Sequence, residues 1–134
     1  MSAPTIKSLL QDDGNETAQR IGFLLLNEFS LLAFASAIEP LRSANRQSGR
    51  ELYQWVIAST DGTPAAASNG VEVASDGDPS VLQDCRMVFV CAGVNVRGNT
   101  DRNTLNLVRR LDRNGAVIGA ICTGTYVMAA AGLL

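Results

Sequence analysis

The chain has 134 residues, of which 46% are hydrophobic and 18% charged, and its formal net charge is −2. This length supports one compact domain, the weak charge argues against direct nucleic-acid binding, and no apolar run reaches the roughly 20 residues of a membrane-spanning helix. No signal peptide is recognisable, and an odd number of cysteines predicts reduced thiols in a cytoplasmic protein. The chain has no histidine, although a cysteine nucleophile usually relies on one.

The first half of the chain begins with a polar segment, residues 1–19, which is predicted to be a flexible leader with a short apolar patch at Ile6 to Leu10. A continuous apolar run from Arg20 to Asn27 then predicts a buried strand. Ser30 is a candidate N-cap for a helix over Leu31 to Gln47. Within that helix Pro40 predicts a kink near Ser36 to Glu39, and Gly49 is the stop signal.

The second half alternates strand and helix patterns and shows no internal repeat. Strands are predicted at Leu52 to Ser59, Arg86 to Cys91 and Ala116 to Ile121, the last as a central strand; a hairpin at Ala65 to Ala67 with Val71 to Ala74; one helical turn at Ser80 to Asp84; and helices at Thr100 to Asn114 and Thr123 to Ala131. This order predicts a parallel sheet with helices on both faces. The loops after Leu26, Cys91 and Ile121 should then share one edge, where ligands of such sheets bind.

Cys122 is the sharpest candidate for a functional residue. It lies between the last predicted strand and helix, followed by Thr123 and Gly124, in the cysteine version of the nucleophile elbow. A thiol at a helix N-terminus can have a lowered pKa and so supply a thiolate. The alternative is a small buried hydrophobe, because free cysteine is often buried.

Further candidates flank Cys122 in the predicted fold. Ala92 and Gly93 follow a strand and could aim backbone N–H groups at a negative oxygen, or could form an ordinary turn. Glu39 lies within a mostly apolar helix face, where it could approach Cys122 or form a salt bridge at the kink.

Other chemistry is not indicated. Cys85 and Cys91 are interpreted as structural, and a metal site is not predicted without histidine or a Cys-x-x-Cys pair. No nucleotide-binding motif is present, so no cofactor is predicted. The helix over Thr100 to Asn114 should turn Leu105, Val108 and Leu111 inward and its arginines, including Arg109, mostly outward.

Several segments together resemble a known family. They are Ile21 to Leu26, Phe29 to Asn45 with its Glu39-Pro-Leu-Arg42, Ser48 to Tyr53, and Gly119 to Gly124 with Cys122-Thr-Gly124. From about Arg20 to Leu134 the chain is similar to ThiJ/PfpI-class glutamine-amidotransferase-like domains, and more narrowly to the amino-terminal domain of AraC-type transcriptional regulators.

The resemblance implies a flavodoxin-like three-layer α/β/α sandwich over residues 20–134, usually dimeric, with a ligand pocket at the cysteine elbow. That pocket would include Cys122, Thr123, Gly93, Ala92 and Glu39. Aligning the enzymes of the class on Ala37 to Glu39 places their catalytic acid at Ala33, which argues against hydratase or peptidase chemistry. The class continues beyond the elbow helix with a further strand and a histidine-bearing segment, so the resemblance implies part of a longer protein.

The regulators of this family imply a non-catalytic domain that senses a small metabolite, often an amino-acid or quaternary-amine compound. DNA would be bound only through a carboxyl-terminal helix-turn-helix domain absent from this chain, and no membrane is involved. The alternative is a cysteine-dependent hydrolase, hydratase or amidotransferase of the ThiJ/PfpI class. A second alternative is a redox sensor, in which Cys122 is oxidised to the sulfenic acid.

Overall fold

The computed structural model describes residues 17–134, which form a four-stranded parallel sheet between helices. The strands are β1 (Gln19–Leu25), β2 (Tyr53–Ser59), β3 (Ala65–Ala66), β4 (Glu72–Val73), β5 (Met87–Cys91) and β6 (Val117–Ile121), and the helices are α1 (Leu31–Ser48), α2 (Arg102–Arg113) and α3 (Gly124–Ala131). The sheet has the order β2-β1-β5-β6, while β3 and β4 form a separate antiparallel hairpin and Pro79–Leu82 a 3₁₀ turn. The predicted order of elements is therefore confirmed.

The central strands are continuously apolar because both faces of the sheet are covered. Leu24 and Leu26 of the β1 segment pack on one side with Val108 of α2 and Val127 of α3. Phe23 and Leu25 pack on the other side, where α1 and the β3–β4 hairpin lie, and the ring of Phe23 meets that of Phe34 edge to face at 5.3 Å. The expected three-layer sandwich is confirmed.

Local sequence signals set the bounds of α1. The Oγ of Ser30 accepts a hydrogen bond from the Ala33 N–H at 3.2 Å, and Gly49 ends the helix in the left-handed conformation at φ 69°. Both predicted signals are confirmed. Pro40 lies inside a continuous helix, so the predicted kink stays a prediction.

Two predictions about the ends of the sheet are wrong. The segment predicted as a central strand, β6, lies at one edge of the described sheet; it is apolar because both of its faces are half-buried, not because strands flank it on both sides. The predicted leader ends too late: β1 begins at Gln19, whose N–H donates to the Leu52 carbonyl at 2.9 Å. The Ile6 to Leu10 patch lies outside the described residues.

The inward face of α2 includes Val108 and Leu111, as predicted, but not Leu105. Thr104, Leu107, Val108 and Leu111 are buried, whereas Leu105 is only half-buried. Residues 104, 107, 108 and 111 follow the spacing of one helix face, and Leu105 lies at its margin.

Candidate functional site

The carboxyl ends of β1, β5 and β6 meet at one edge of the sheet, as predicted. Leu25 is in register with Cys91, and Cys91 with Ile121, so the loops that follow these residues are neighbours. We call these three loops, residues 26–30, 92–100 and 122–123, the rim.

Cys122 is the first of the two residues that connect β6 to α3. β6 ends at Ile121, Cys122 is exposed and has a φ of 56°, and α3 begins at Gly124. The left-handed conformation costs a non-glycine residue about 1–2 kcal/mol. An exposed side chain recovers little of this cost by packing, so the backbone is strained at the one thiol that faces solvent.

Gly124 allows α3 to start directly behind β5. A Cβ at this position would lie 2.1 Å from the Val90 carbonyl oxygen and 3.1 Å from the Val90 carbonyl carbon. Both atoms belong to a central strand and cannot rotate away, so only glycine fits here. The close approach aims the first turn of α3, with its free N–H groups, at the rim.

Gly93 likewise allows a close backbone approach, here between two rim loops. A Cβ on Gly93 would lie 2.4 Å from the Glu28 carbonyl oxygen and 2.8 Å from the Ser30 nitrogen. The Gly93 carbonyl accepts a hydrogen bond from the Thr123 hydroxyl at 2.7 Å, which joins the elbow to the loop after β5. The glycine is thus explained by close packing, and its predicted N–H contact with a ligand stays a prediction.

Ala92 does not offer a free backbone donor. Its side chain is buried, its N–H donates to the Ile121 carbonyl at 3.4 Å, and its carbonyl accepts from the Ser30 N–H at 3.3 Å. The expectation that the Ala92 N–H helps to bind a ligand is therefore wrong, because this residue holds neighbouring loops together.

Glu28 and Asn99 are rim residues that were not among the predicted site residues. Glu28 is half-buried with a φ of 63°, and its Oε2 accepts a hydrogen bond from Asn99 Nδ2 at 2.8 Å. The Nδ2 of Asn27 donates to Asn99 Oδ1 at 3.4 Å. The signal in the sequence that could have identified Glu28 is its position. Polar residues directly after a buried parallel strand lie where such sheets bind ligands.

The loop over residues 92–100 is held from both sides. The Val94 N–H donates to the Glu28 carbonyl at 3.1 Å, which joins the loop to the β1–α1 turn. On the other side the Arg97 guanidinium lies 5.8 Å from the ring centroid of Tyr126 on α3, at cation–π distance. The rim is consequently one connected surface of three loops.

Glu39 matches the salt-bridge alternative and not the approach to Cys122. Its carboxylate is exposed and pairs with Arg42 at 2.7 Å, and this hydrogen bond lowers the pKa of Glu39. Glu39 is eight residues after Leu31, which is about 12 Å along the helix from its rim end. Ala33, in contrast, lies in the first turn of α1, close to the rim.

The other two cysteines are buried, as the structural interpretation requires. Burial raises the pKa of the Cys91 thiol, and burial also raises the pKa of Cys85, an effect that Arg20 partly offsets. Thiols kept protonated in this way are poor nucleophiles. Cys122 is therefore the only exposed cysteine among residues 17–134.

Arg109 is exposed, as predicted for the α2 arginines, but it also binds the end of α3. Its Nε donates to the Ala131 carbonyl at 3.0 Å and its guanidinium also reaches the Ala130 carbonyl at 3.2 Å. A cation at a helix C-terminus satisfies unpaired carbonyls and complements the helix dipole. Arg109 therefore anchors the far end of the helix whose near end carries Thr123 and Cys122.

Two surface hollows lie away from the elbow. One of about 860 Å³ lies between α2 and the 3₁₀ turn, lined among others by Asp78, Asp101 and Arg110. The other, of about 620 Å³, lies along β2 and includes Trp55 and Asn45. Neither hollow includes Cys122, so the predicted ligand pocket at the elbow stays a prediction.

Residues 17–134 contain no group of three or more His, Cys, Asp or Glu side chains that could hold a metal ion. Within the same range, every helix is too short or too polar to cross a bilayer.

Comparison with known proteins identifies relatives among transcriptional regulators. The chain is 44% identical over 122 residues to the HTH-type transcriptional regulator GbdR of Pseudomonas aeruginosa, an alignment that covers 90% of this chain and 33% of the regulator. The chain thus spans about a third of the length of this curated relative. No protein-family model matches the chain.

Solved structures give the same answer at the level of the fold. An AraC family transcriptional regulator from Pseudomonas putida superposes with a TM-score of 0.75 at 25% identity, covering 87% of this chain and 62% of that one. A ThiJ/PfpI family protein from Pseudomonas syringae superposes with a TM-score of 0.70 at 16% identity, covering 99% and 54%. The chain is therefore homologous to HTH-type transcriptional regulators, including those of the AraC type, and has the fold of ThiJ/PfpI-class proteins.

Proposed function

We propose that the chain is the effector-sensing domain of an AraC-type transcriptional regulator. In this proposal the domain is non-catalytic, cytoplasmic and dimeric, and another part of the regulator binds DNA. The homology to HTH-type regulators supports the regulatory role. The effector, the dimer and the cytoplasmic location are not given by this homology and are part of the proposal.

The observation that carries the proposal is the strained, exposed Cys122 at the rim. Its φ of 56° costs stability, and its exposure means that packing does not explain its presence. A side chain held in this way is available to an outside molecule. We infer that the effector lies over Cys122 and Thr123, near the Glu28 carboxylate.

A binding event at the elbow has a physical route to the rest of the domain. The Thr123 hydroxyl bonds to the Gly93 carbonyl, and Gly93 is bridged to Phe29. The Phe29 carbonyl in turn accepts from the Ser68 N–H at 2.9 Å, in the hairpin loop. An effector that binds two arrangements of the rim unequally would shift this connected set of loops.

Calorimetric titration of the full-length regulator tests the proposal. Glycine betaine and a set of amino acids are the probes, because the resemblance implies amino-acid or quaternary-amine effectors. At least one should bind, and Thr123→Val should weaken binding because it removes the bond to Gly93. Thr125→Val is the matched control, since its hydroxyl makes only a 3.5 Å contact with the Cys122 carbonyl. No binding by any probe, or equal effects of both variants, would contradict the proposal.

A second candidate function, cysteine-dependent catalysis, is favoured by one observation, the exposed thiol of Cys122 in an elbow turn. The chain offers no histidine as a base, and alanine occupies position 33. Mass spectrometry after incubation with electrophilic esters and amides distinguishes the two functions. A covalent adduct on Cys122 that forms and then turns over would establish the enzyme and displace the sensor.

A further inference from the structure

The outer edge of β2 is one of the two edges of the described sheet. The Leu52 carbonyl accepts a bond from Gln19 of β1, so even-numbered residues of this strand direct their backbone groups toward β1. The odd-numbered residues Tyr53, Trp55, Ile57 and Ser59 therefore direct theirs outward. If left unpaired, such a row of backbone groups is a template for the addition of another strand.

Asn45 covers the first of these outward positions. Its Oδ1 accepts from the Tyr53 N–H at 3.0 Å and from the Leu52 N–H at 2.8 Å. Its Nδ2 donates to the Tyr53 carbonyl at 2.9 Å. A single carboxamide thus supplies both the acceptor and the donor that a neighbouring strand would offer to Tyr53.

Asp76 covers the strand farther along. Its Oδ2 accepts from the Ile57 N–H at 2.8 Å, and its own N–H donates to the Ile57 carbonyl at 2.7 Å. The next outward group, the Ser59 N–H, donates to the Gly77 carbonyl at 3.2 Å. Among the described residues Trp55 is then the one outward position of β2 without such a cover.

One uncovered residue is too short to start a ladder, because pairing strands usually span several residues. Trp55 lies in the hollow of about 620 Å³ between Asn45 and Asp76, which leaves room beside its backbone. Removal of the Asn45 side chain would open both backbone groups of Tyr53 beside Trp55. Removal of the Asp76 side chain would open only the Ile57 N–H, because the Asp76 N–H would still bond to the Ile57 carbonyl and Gly77 is bridged to Ala58. The edge is therefore closed by these two side chains together with the backbone of residues 76 and 77.

We propose that Asn45 and Asp76 act as strand mimics that close the β2 edge to pairing with a second copy of this chain. Removing Asn45 opens both backbone groups of Tyr53 beside Trp55, and removing the Asp76 carboxylate opens the Ile57 N–H beside Trp55. The expected occupant is β2 of another molecule, because it presents the same opened row of donors and acceptors.

Sedimentation velocity across a concentration series tests this proposal on the parent chain, Asn45→Ala, Asp76→Ala and the double variant. Asn45→Ala and the double variant should form species larger than the parent, with an association constant raised at least about tenfold by the newly available backbone pairs. Asp76→Ala, which frees only the Ile57 N–H, should associate more than the parent but less than Asn45→Ala. Hydrogen exchange should show new protection of the Trp55 amide in these species, and the emission of Trp55, the single tryptophan, should change with concentration.

Two controls separate edge opening from loss of stability. Asp76→Asn keeps an acceptor oxygen for the Ile57 N–H and should behave as the parent. Ser30→Ala loses a helix cap and is destabilised, while its β2 edge stays closed, so it should not associate further. If Asn45→Ala does not fold, Asp76→Ala decides alone, because it leaves the α1–β2 connection intact. Unchanged association of the folded variants, equal association of Ser30→Ala, or an unprotected Trp55 amide in the larger species would overturn the proposal.

Discussion

Replacing Gly124 with alanine sets two physical effects against each other. Alanine is the best helix former, and on propensity alone Gly124→Ala would stabilise α3 by up to about 1 kcal/mol. The new Cβ, however, would lie 2.1 Å from the Val90 carbonyl oxygen and 3.5 Å from the Ala120 Cβ. The sign of the change depends on which effect is larger.

The overlap is the larger effect, because its partner is backbone. Real Cβ atoms essentially never approach another heavy atom within 3.0 Å, so α3 or β5 must move by about 1 Å. Overpacking of a well-packed core costs about 1–3 kcal/mol, and here a sheet strand resists the shift. We expect Gly124→Ala to lower the free energy of unfolding by about 1–2 kcal/mol net, which lowers Tm by roughly 3–12 °C for a chain of this size.

Urea unfolding and differential scanning calorimetry measure this change. Gly132→Ala is the matched control at the other end of α3, where a Cβ meets nothing within 4 Å and only the left-handed φ of 81° opposes it. That variant should lose about 1 kcal/mol. A Gly124→Ala protein as stable as the parent, or more stable, would refute the close packing of α3 against β5.

Three further predictions concern single contacts. Cys122→Gly should be about 1 kcal/mol more stable in urea than Cys122→Ser, because glycine adopts the left-handed backbone without strain; equal stabilities would contradict the strain. Arg109→Ala should lower the free energy of unfolding by about 1–2 kcal/mol through its bonds to the end of α3, with a smaller loss for Arg109→Lys, and an unchanged Tm would contradict that anchoring. Asp101 caps α2 through the Thr104 N–H, which lowers the pKa of its carboxyl. Asp101→Ala should therefore cost about 1 kcal/mol above pH ~4, and the difference should vanish as the pH falls through the folded-state pKa; a difference that persists at low pH would contradict the linkage.

The fold could be predicted from the sequence because its signals are local. Continuous apolar runs marked β1 and β5, and Ser30 and Gly49 marked both ends of α1. The position of β6 in the sheet could not be predicted in the same way. A strand buried on both faces has the same composition whether it lies in the centre of a sheet or at its edge.

The site could be predicted only in part, because its contacts join distant residues. Cys122 was found from the pattern around it, whereas Glu28 and Asn99 are 71 positions apart and meet only in the folded chain. The contact of Arg109 with the end of α3 was not predicted for the same reason, since the carbonyls that it binds are 21 and 22 positions away. Periodicity identifies which face of a helix is polar, but not which polar residue finds a partner.

The distribution of left-handed residues argues that the rim is maintained for its side chains. Away from the rim, the described chain uses glycine at such turns, for example at Gly49, Gly115 and Gly132. The non-glycine residues with positive φ are Glu28, Asn95 and Cys122, one in each of the three rim loops. At about 1–2 kcal/mol each for Glu28 and Cys122, this strain is a substantial part of the 5–15 kcal/mol that typically stabilises a domain. Glycine at these positions would hold the same backbone with less strain, so the side chains themselves are what the rim requires.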